Sequence, residues 1–148
     1  MADNLDAFDL RLSRWQVTTL TSDRDLVDLH VTTSRDVATI TGTPNLRQAI
    51  LNRLFTRQGE LGALGHPAYG SRLYQLIGEL NNERTRILAE VYIRECLAQE
   101  ARIEVIRHII FAPPLRGAQR HMLEVTIAVK PINVDADLVV TLALNLAG

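Results

Sequence analysis

With 148 residues the chain holds one domain with a single core and room for an extended arm, and is too short for a second full domain. Apolar residues at 47% and charged ones at 22% are ordinary globular values that exclude disorder, and no run approaches the roughly 18 apolar residues of a spanning helix. The net charge of −1 divides into −3 over residues 1–40, from four Arg against seven Asp, and +2 over the rest, so neither half reads as a nucleic-acid or membrane-surface binder. The first residues, Met1-Ala-Asp-Asn-Leu-Asp, are acidic where a signal peptide is basic and then apolar, which predicts cytoplasmic synthesis.

Residues 8–41 read as short extended pieces, Phe8–Leu12, Trp15–Leu20, Leu26–His30 and Val37–Ile40, separated by polar turns. Little continuous apolar surface runs through them, so residues 1–41 are expected to form an arm or a loosely attached strand layer, with the main domain at 42–148.

Gly42-Thr43-Pro44-Asn45 is a helix-start signal, Thr43 able to cap and Pro44 at the first helical position, where a missing N–H costs nothing. Leu46, Ile50 and Leu54 then give an apolar stripe, and Gly59 is expected to end the helix near Gln58. Residues 59–69, with Gly62, Gly65 and Pro67, form a loop. Ser71–Leu80 reads as a short amphipathic helix carrying Leu73, Leu76, Ile77 and Leu80. After Asn81-Asn82, residues 84–98 form the longest helix, with Ile87, Leu88, Val91, Cys96 and Leu97 apolar and Glu90 to Arg94 a favourable i,i+4 pair.

The last third is β. Ile103–Phe111 is a strand; Leu123, Val125, Ile127 and Val129 alternate with polar or small residues, and Leu138 to Leu146 alternates again. The fold class is therefore α+β, an antiparallel sheet of about three C-terminal strands packed on helices, with an extended N-terminal strand-like arm. The outward positions of the last strand, Val139, Thr141, Ala143 and Asn145, include no Lys or Pro to discourage pairing. Either this edge receives a partner strand, or the strand is central or covered by the N-terminal segments.

Catalytic and ligand motifs are absent. His30, His66, His108 and His121 show no metal-ligand spacing, the single Cys96 rules out an internal disulfide and reads as core, and Gly59–Gly65 follows a helix where a phosphate loop would follow a strand. No cofactor is expected. Glycoside hydrolysis needs two carboxylates, one with a raised pKa; Glu60 and Glu100 are the candidates, neither with a clear carboxylate partner.

Three stretches carry a family resemblance: Leu46–Leu61, His66–Leu73 and Gln99–Glu104. The strongest positions are Asp36–Ile40, Gly42, Arg53-Leu54, Thr56-Arg57, Gly59-Glu60-Leu61, Tyr69-Gly70-Ser71 and Glu100-Ala-Arg102. In order and spacing, over about residues 36–130, the chain resembles the small baseplate wedge proteins of contractile phage tails, once called lysozyme-like, which start the sheath. Relatives occur in type VI secretion and extracellular injection systems. Where the family has Glu-Pro-Arg, Ala101 replaces the proline. The resemblance implies a structural protein rather than an enzyme, with six copies ringing the tail tube. It also implies a sheet that accepts strands from sheath subunits, and a Glu100–Arg102 region facing the wedge helical bundle. That acid–base pair serves either docking or an internal bridge at the helix-to-strand junction. The implied location is the cytoplasm during assembly and then the baseplate. The alternatives are a peptidoglycan-cleaving enzyme and an unrelated α+β binding module.

Overall fold

The computed structural model describes residues 42–148 continuously and, ahead of them, the backbone of five short strands: β1 (Asp9–Leu10), β2 (Leu12–Arg14), β3 (Thr19–Leu20), β4 (Val27–Leu29) and β5 (Thr39–Ile40). Four of them fall within the pieces read as extended; β2 instead runs through Ser13 and Arg14, in the expected polar turn. β1 pairs antiparallel with β5 and β2 with β4. Trp15 and His30 lie outside the described residues.

α1 (Gly42–Phe55) holds Pro44 in its first turn, where proline is tolerated, and buries Leu46, Ile50 and Leu54 at the expected i,i+4 spacing. It stops short of the expected Gln58. The physical reason lies 15 residues on: Ser71 donates from its backbone N–H to Thr56 O (2.8 Å) and from Oγ to Leu54 O (2.6 Å), so the carbonyls that would continue the helix are already taken.

The predicted helix over 71–80 is instead a single 3₁₀ turn, Leu73–Leu76. Leu73 and Leu76 are both buried, as the three-residue period of that turn requires. Gly78, with φ +98°, carries the chain away and donates its N–H to Leu146 O (2.7 Å), leaving Leu80 in solvent. Asn82 then caps α2 (Glu83–Leu97), its side chain accepting from the N–H of Thr85 at 3.0 Å. The face α2 buries is Thr85, Ala89, Ile93, Cys96 and Leu97. Ile87 and Val91 from the apolar run point outward, and Glu90 and Arg94 pair as expected (2.8 Å).

Three long strands follow: β6 (Ile103–Phe111), β7 (Met122–Pro131) and β8 (Leu138–Asn145). They form an antiparallel meander, and β3 adds beside β8 in parallel, Thr19 opposite Ala143 and Leu20 opposite Leu144, for the order β3-β8-β7-β6. Leu123, Val125, Ile127 and Val129 of β7 and Leu138, Val140, Leu142 and Leu144 of β8 turn one face of the sheet onto α1, α2 and the 3₁₀ turn, making one core. Cys96 sits in that core, and burial pushes its thiol pKa up to about 11, so it is protonated at neutral pH. Among the described residues no helix is long and apolar enough to cross a membrane.

Because Ile93 is buried in this core and Val91 faces solvent on the same helix, Ile93→Ala is expected to cost about 3 kcal/mol and Val91→Ala less than about 0.5 kcal/mol in chemical denaturation. Equal losses at both positions would contradict the assigned face of α2.

Candidate functional site

Two regions bring together the residues singled out in the sequence. The first is the turn between α2 and β6. Glu100 N–H donates to Leu97 O (3.0 Å) and Glu100 O accepts from Ile103 N–H (3.1 Å), which folds the chain tightly and directs the Glu100 side chain inward, only 7% exposed. Its carboxylate is met by two guanidinium groups. Arg102 donates to both oxygens, Nε to Oε1 at 2.8 Å and Nη2 to Oε2 at 3.2 Å, and Arg53 reaches across from α1 to Oε2 at 3.2 Å. Burial alone would raise the pKa of this carboxyl, but the hydrogen bonds and charge of Arg102, with the charge of Arg53, outweigh it and hold Glu100 below the usual carboxylate value. Of the two roles left open for Glu100 and Arg102, the geometry is that of an internal bridge. Arg53 was legible in the sequence only as a motif position; its partnership with a carboxylate 47 residues away had no local signal.

Arg53 also stacks over the ring of Tyr69, 4.7 Å from its centroid, and so ties the junction to the loop beyond α1. The remaining motif residues build that loop. Thr56 Oγ1 donates to Asn52 O (2.7 Å), the Glu60 carboxylate accepts from the N–H of Arg57 (3.2 Å), and Gln58 N–H donates to Ser71 O (2.9 Å). Gly59 sits at φ +93°. Gly70 has φ +103° and passes so close to α1 that a Cβ there would lie 2.5 Å from Thr56 O. The six positions Arg53, Thr56, Gly59, Glu60, Tyr69 and Gly70 thus act together: they close one loop against the end of α1. Two further stacks extend this surface, Arg57 over Tyr74 and Arg72 over Tyr92, and Arg72 also pairs with Glu95.

The second region is the side of β8 that faces away from β7. Leu146 N–H donates to His121 O (2.9 Å), in register with Met122 opposite Asn145. Strand alternation then turns the N–H groups of Leu138, Val140, Leu142 and Leu144 toward β7 and those of Val139, Thr141, Ala143 and Asn145 toward the outer edge. β3 pairs on that side at Ala143 and Leu144, so β8 is an inner strand with an N-terminal segment beside it, the second of the two alternatives, and Ala143 is not free to receive a partner strand; among the described residues none lies beside Val139 or Thr141. The opposite edge differs. β6 carries register shifts at Ile103/Val105 and Ile106/His108 together with Glu104 and Arg107, the bulges and charges by which natural edges discourage pairing.

Among the described residues no group of three or more His, Cys, Asp or Glu side chains is placed to hold a metal. Glu100 is also unfit as a general acid, since two arginines favour its ionised form.

Comparison with solved structures finds the same fold in a "putative tail lysozyme" from Geobacter sulfurreducens, with a TM-score of 0.59 and 21% identity over 71% of this chain and 91% of that one. No family model and no curated protein matches the chain.

Glu100→Gln is expected to lower stability by about 2 kcal/mol at pH 7, because Arg53 and Arg102 lose the charge they surround. The folded pKa lies below the unfolded value of about 4.3, so the stabilisation is complete above that value and disappears as pH falls through the folded pKa. The gap between wild type and Glu100→Gln should therefore close on acidification, as read by urea unfolding from pH 7 downward. A gap of constant size would mean that the side chain's shape, and not its charge, matters.

Proposed function

We propose that the protein is a structural component of the baseplate of a contractile injection machine, where it caps the wedge and initiates sheath polymerisation by accepting strands from sheath subunits. The single observation that carries this reading is the contrast between β6, an edge strand that is bulged and charged, and β8, which turns regular main-chain groups at Val139 and Thr141 away from β7 on the side where the described part of β3 pairs only at Ala143 and Leu144. An added strand would gain affinity from hydrogen bonds to these groups, beside which the described residues place no strand. The motif resemblance in residues 36–130 supplies the partners: sheath subunits at the edge and wedge proteins at the Glu100–Arg102 junction, in six copies around the tube. The tail-protein name of the Geobacter sulfurreducens structure is in keeping with it. On this reading the protein has no cofactor, and passes from the cytoplasm into the baseplate of a particle. The internal bridge gives Glu100 and Arg102 a specific part: they fix the junction that meets the wedge.

The name of that same structure motivates the competing reading, a peptidoglycan-cleaving enzyme. The chemistry of Glu100 speaks against it, because a glycosidase acid must hold its proton near neutral pH. Purified protein is expected to leave cell-wall suspensions turbid; clearing that vanished in a folded Glu60→Gln or Glu100→Gln variant would establish the enzyme.

Strand acceptance is tested with proline, which has no N–H to donate. Thr141→Pro should leave the domain folded and abolish sheath nucleation on baseplates, whereas Thr141→Val nucleates normally. Val140→Pro and Leu142→Pro remove N–H groups directed at β7 and should damage folding itself. Normal nucleation and sheath length with Thr141→Pro would remove β8 as the receiving edge.

A further inference from the structure

β3 is the one described strand of the N-terminal segment that joins the main sheet. It lies in the connection between β2 and β4, while β1 with β5 and β2 with β4 form ladders of their own that do not include it. Among the described residues β3 meets β8 over two positions, Thr19 opposite Ala143 and Leu20 opposite Leu144. The pairing is parallel, the less stable kind per residue, and strands of ordinary sheets run about five or six residues. Releasing β3 from β8 therefore breaks neither of the other N-terminal ladders and takes only two paired positions from the sheet.

Its place on β8 matters more than its length. β3 stands beside the C-terminal half of β8, so a strand that enters beside Val139 and Thr141 has only Leu138–Leu142 to pair with before it meets β3. A strand long enough to pair along all of β8 must take the place of β3. It then recovers at Ala143 the hydrogen bonds that β3 gives up and adds those of the remaining positions. A shorter strand has no such surplus. A tethered segment acts at an effective concentration of up to about millimolar, so a free strand offering no more pairing than β3 is outcompeted.

We propose that β3 is a placeholder strand: it holds the Ala143–Leu144 end of β8 until an incoming sheath strand, long enough to pair along the eight residues of β8, displaces it. In doing so it withholds the site from shorter strands. The inference rests on the reading of β8 as the strand that receives sheath subunits, and adds to that reading a condition on what is received.

The test uses the full chain with the double substitution Thr19→Cys and Ala143→Cys. Neighbouring strands lie about 4.8 Å apart, which brings paired Cα atoms within reach of a disulfide. Cys96 is buried and protonated and stays outside the reaction. Purified cognate sheath subunit is titrated against the oxidised and the reduced protein. The oxidised form, with β3 locked in place, should bind at least about tenfold more weakly than the reduced form, which should match the wild type. The double substitution Thr19→Pro and Leu20→Pro takes away both N–H groups that β3 can offer to β8, and should tighten sheath binding by about threefold or more. Equal binding by the oxidised and reduced forms, or weaker binding by the proline variant, would overturn the placeholder and leave β8 standing as the receiving strand. A disulfide that does not form would contradict the register on which the proposal stands. Absence of sheath binding in the wild type itself would overturn both readings.

Discussion

A carboxylate removed from water must be repaid in full by its surroundings, and the position of Glu100 imposes that demand on three parts of the chain at once. Arg102 comes from the turn just ahead of β6, Arg53 from the last turns of α1, and Arg53 in turn covers Tyr69 of the loop. α1 cannot shift along the sheet, nor the α2–β6 turn open, without separating charges inside the protein. In the resembling family a proline stiffens this turn; with Ala101 in its place, the two arginines and the backbone bonds on either side of Glu100 supply the rigidity.

Around that anchor the molecule is asymmetric. One face of the sheet is consumed by the core, while its long strands differ in character: the edge strand β6 carries two register shifts, and the inner strand β8 pairs with β7 in unbroken register. The loop clasp and the outer side of β8 are built from different elements, the first from the end of α1 and residues 56–71, the second from the last strand.

The sequence made the sheet legible because a two-residue alternation as strong as that in Leu123–Val129 and Leu138–Leu146 has only one way to bury its leucines and valines. It was less informative where tertiary contacts override local preference. Residues 71–80 have a helical pattern, but Gly78 and the bond to Leu146 stop them after one turn. α2 buries small Ala89 and polar Thr85 in preference to Ile87, since its partner surfaces sit on that side. The pairing of β3 with β8, and of Arg53 with Glu100, joins segments far apart in the chain, and no spacing rule reaches across such separations. The motif positions could be located without their purpose, which became visible only when Gly70 was seen to pass beneath Thr56 O.

The stacking of arginine on tyrosine also decides how the protein looks to ultraviolet light. Its three tyrosines, Tyr69, Tyr74 and Tyr92, all lie in the band between the loop and α2, each beneath a guanidinium, and its one tryptophan, Trp15, belongs to the segment ahead of α1. Tryptophan emission, excited at the red edge of the absorption band where tyrosine does not absorb, is therefore a reporter of the N-terminal segment alone within this chain.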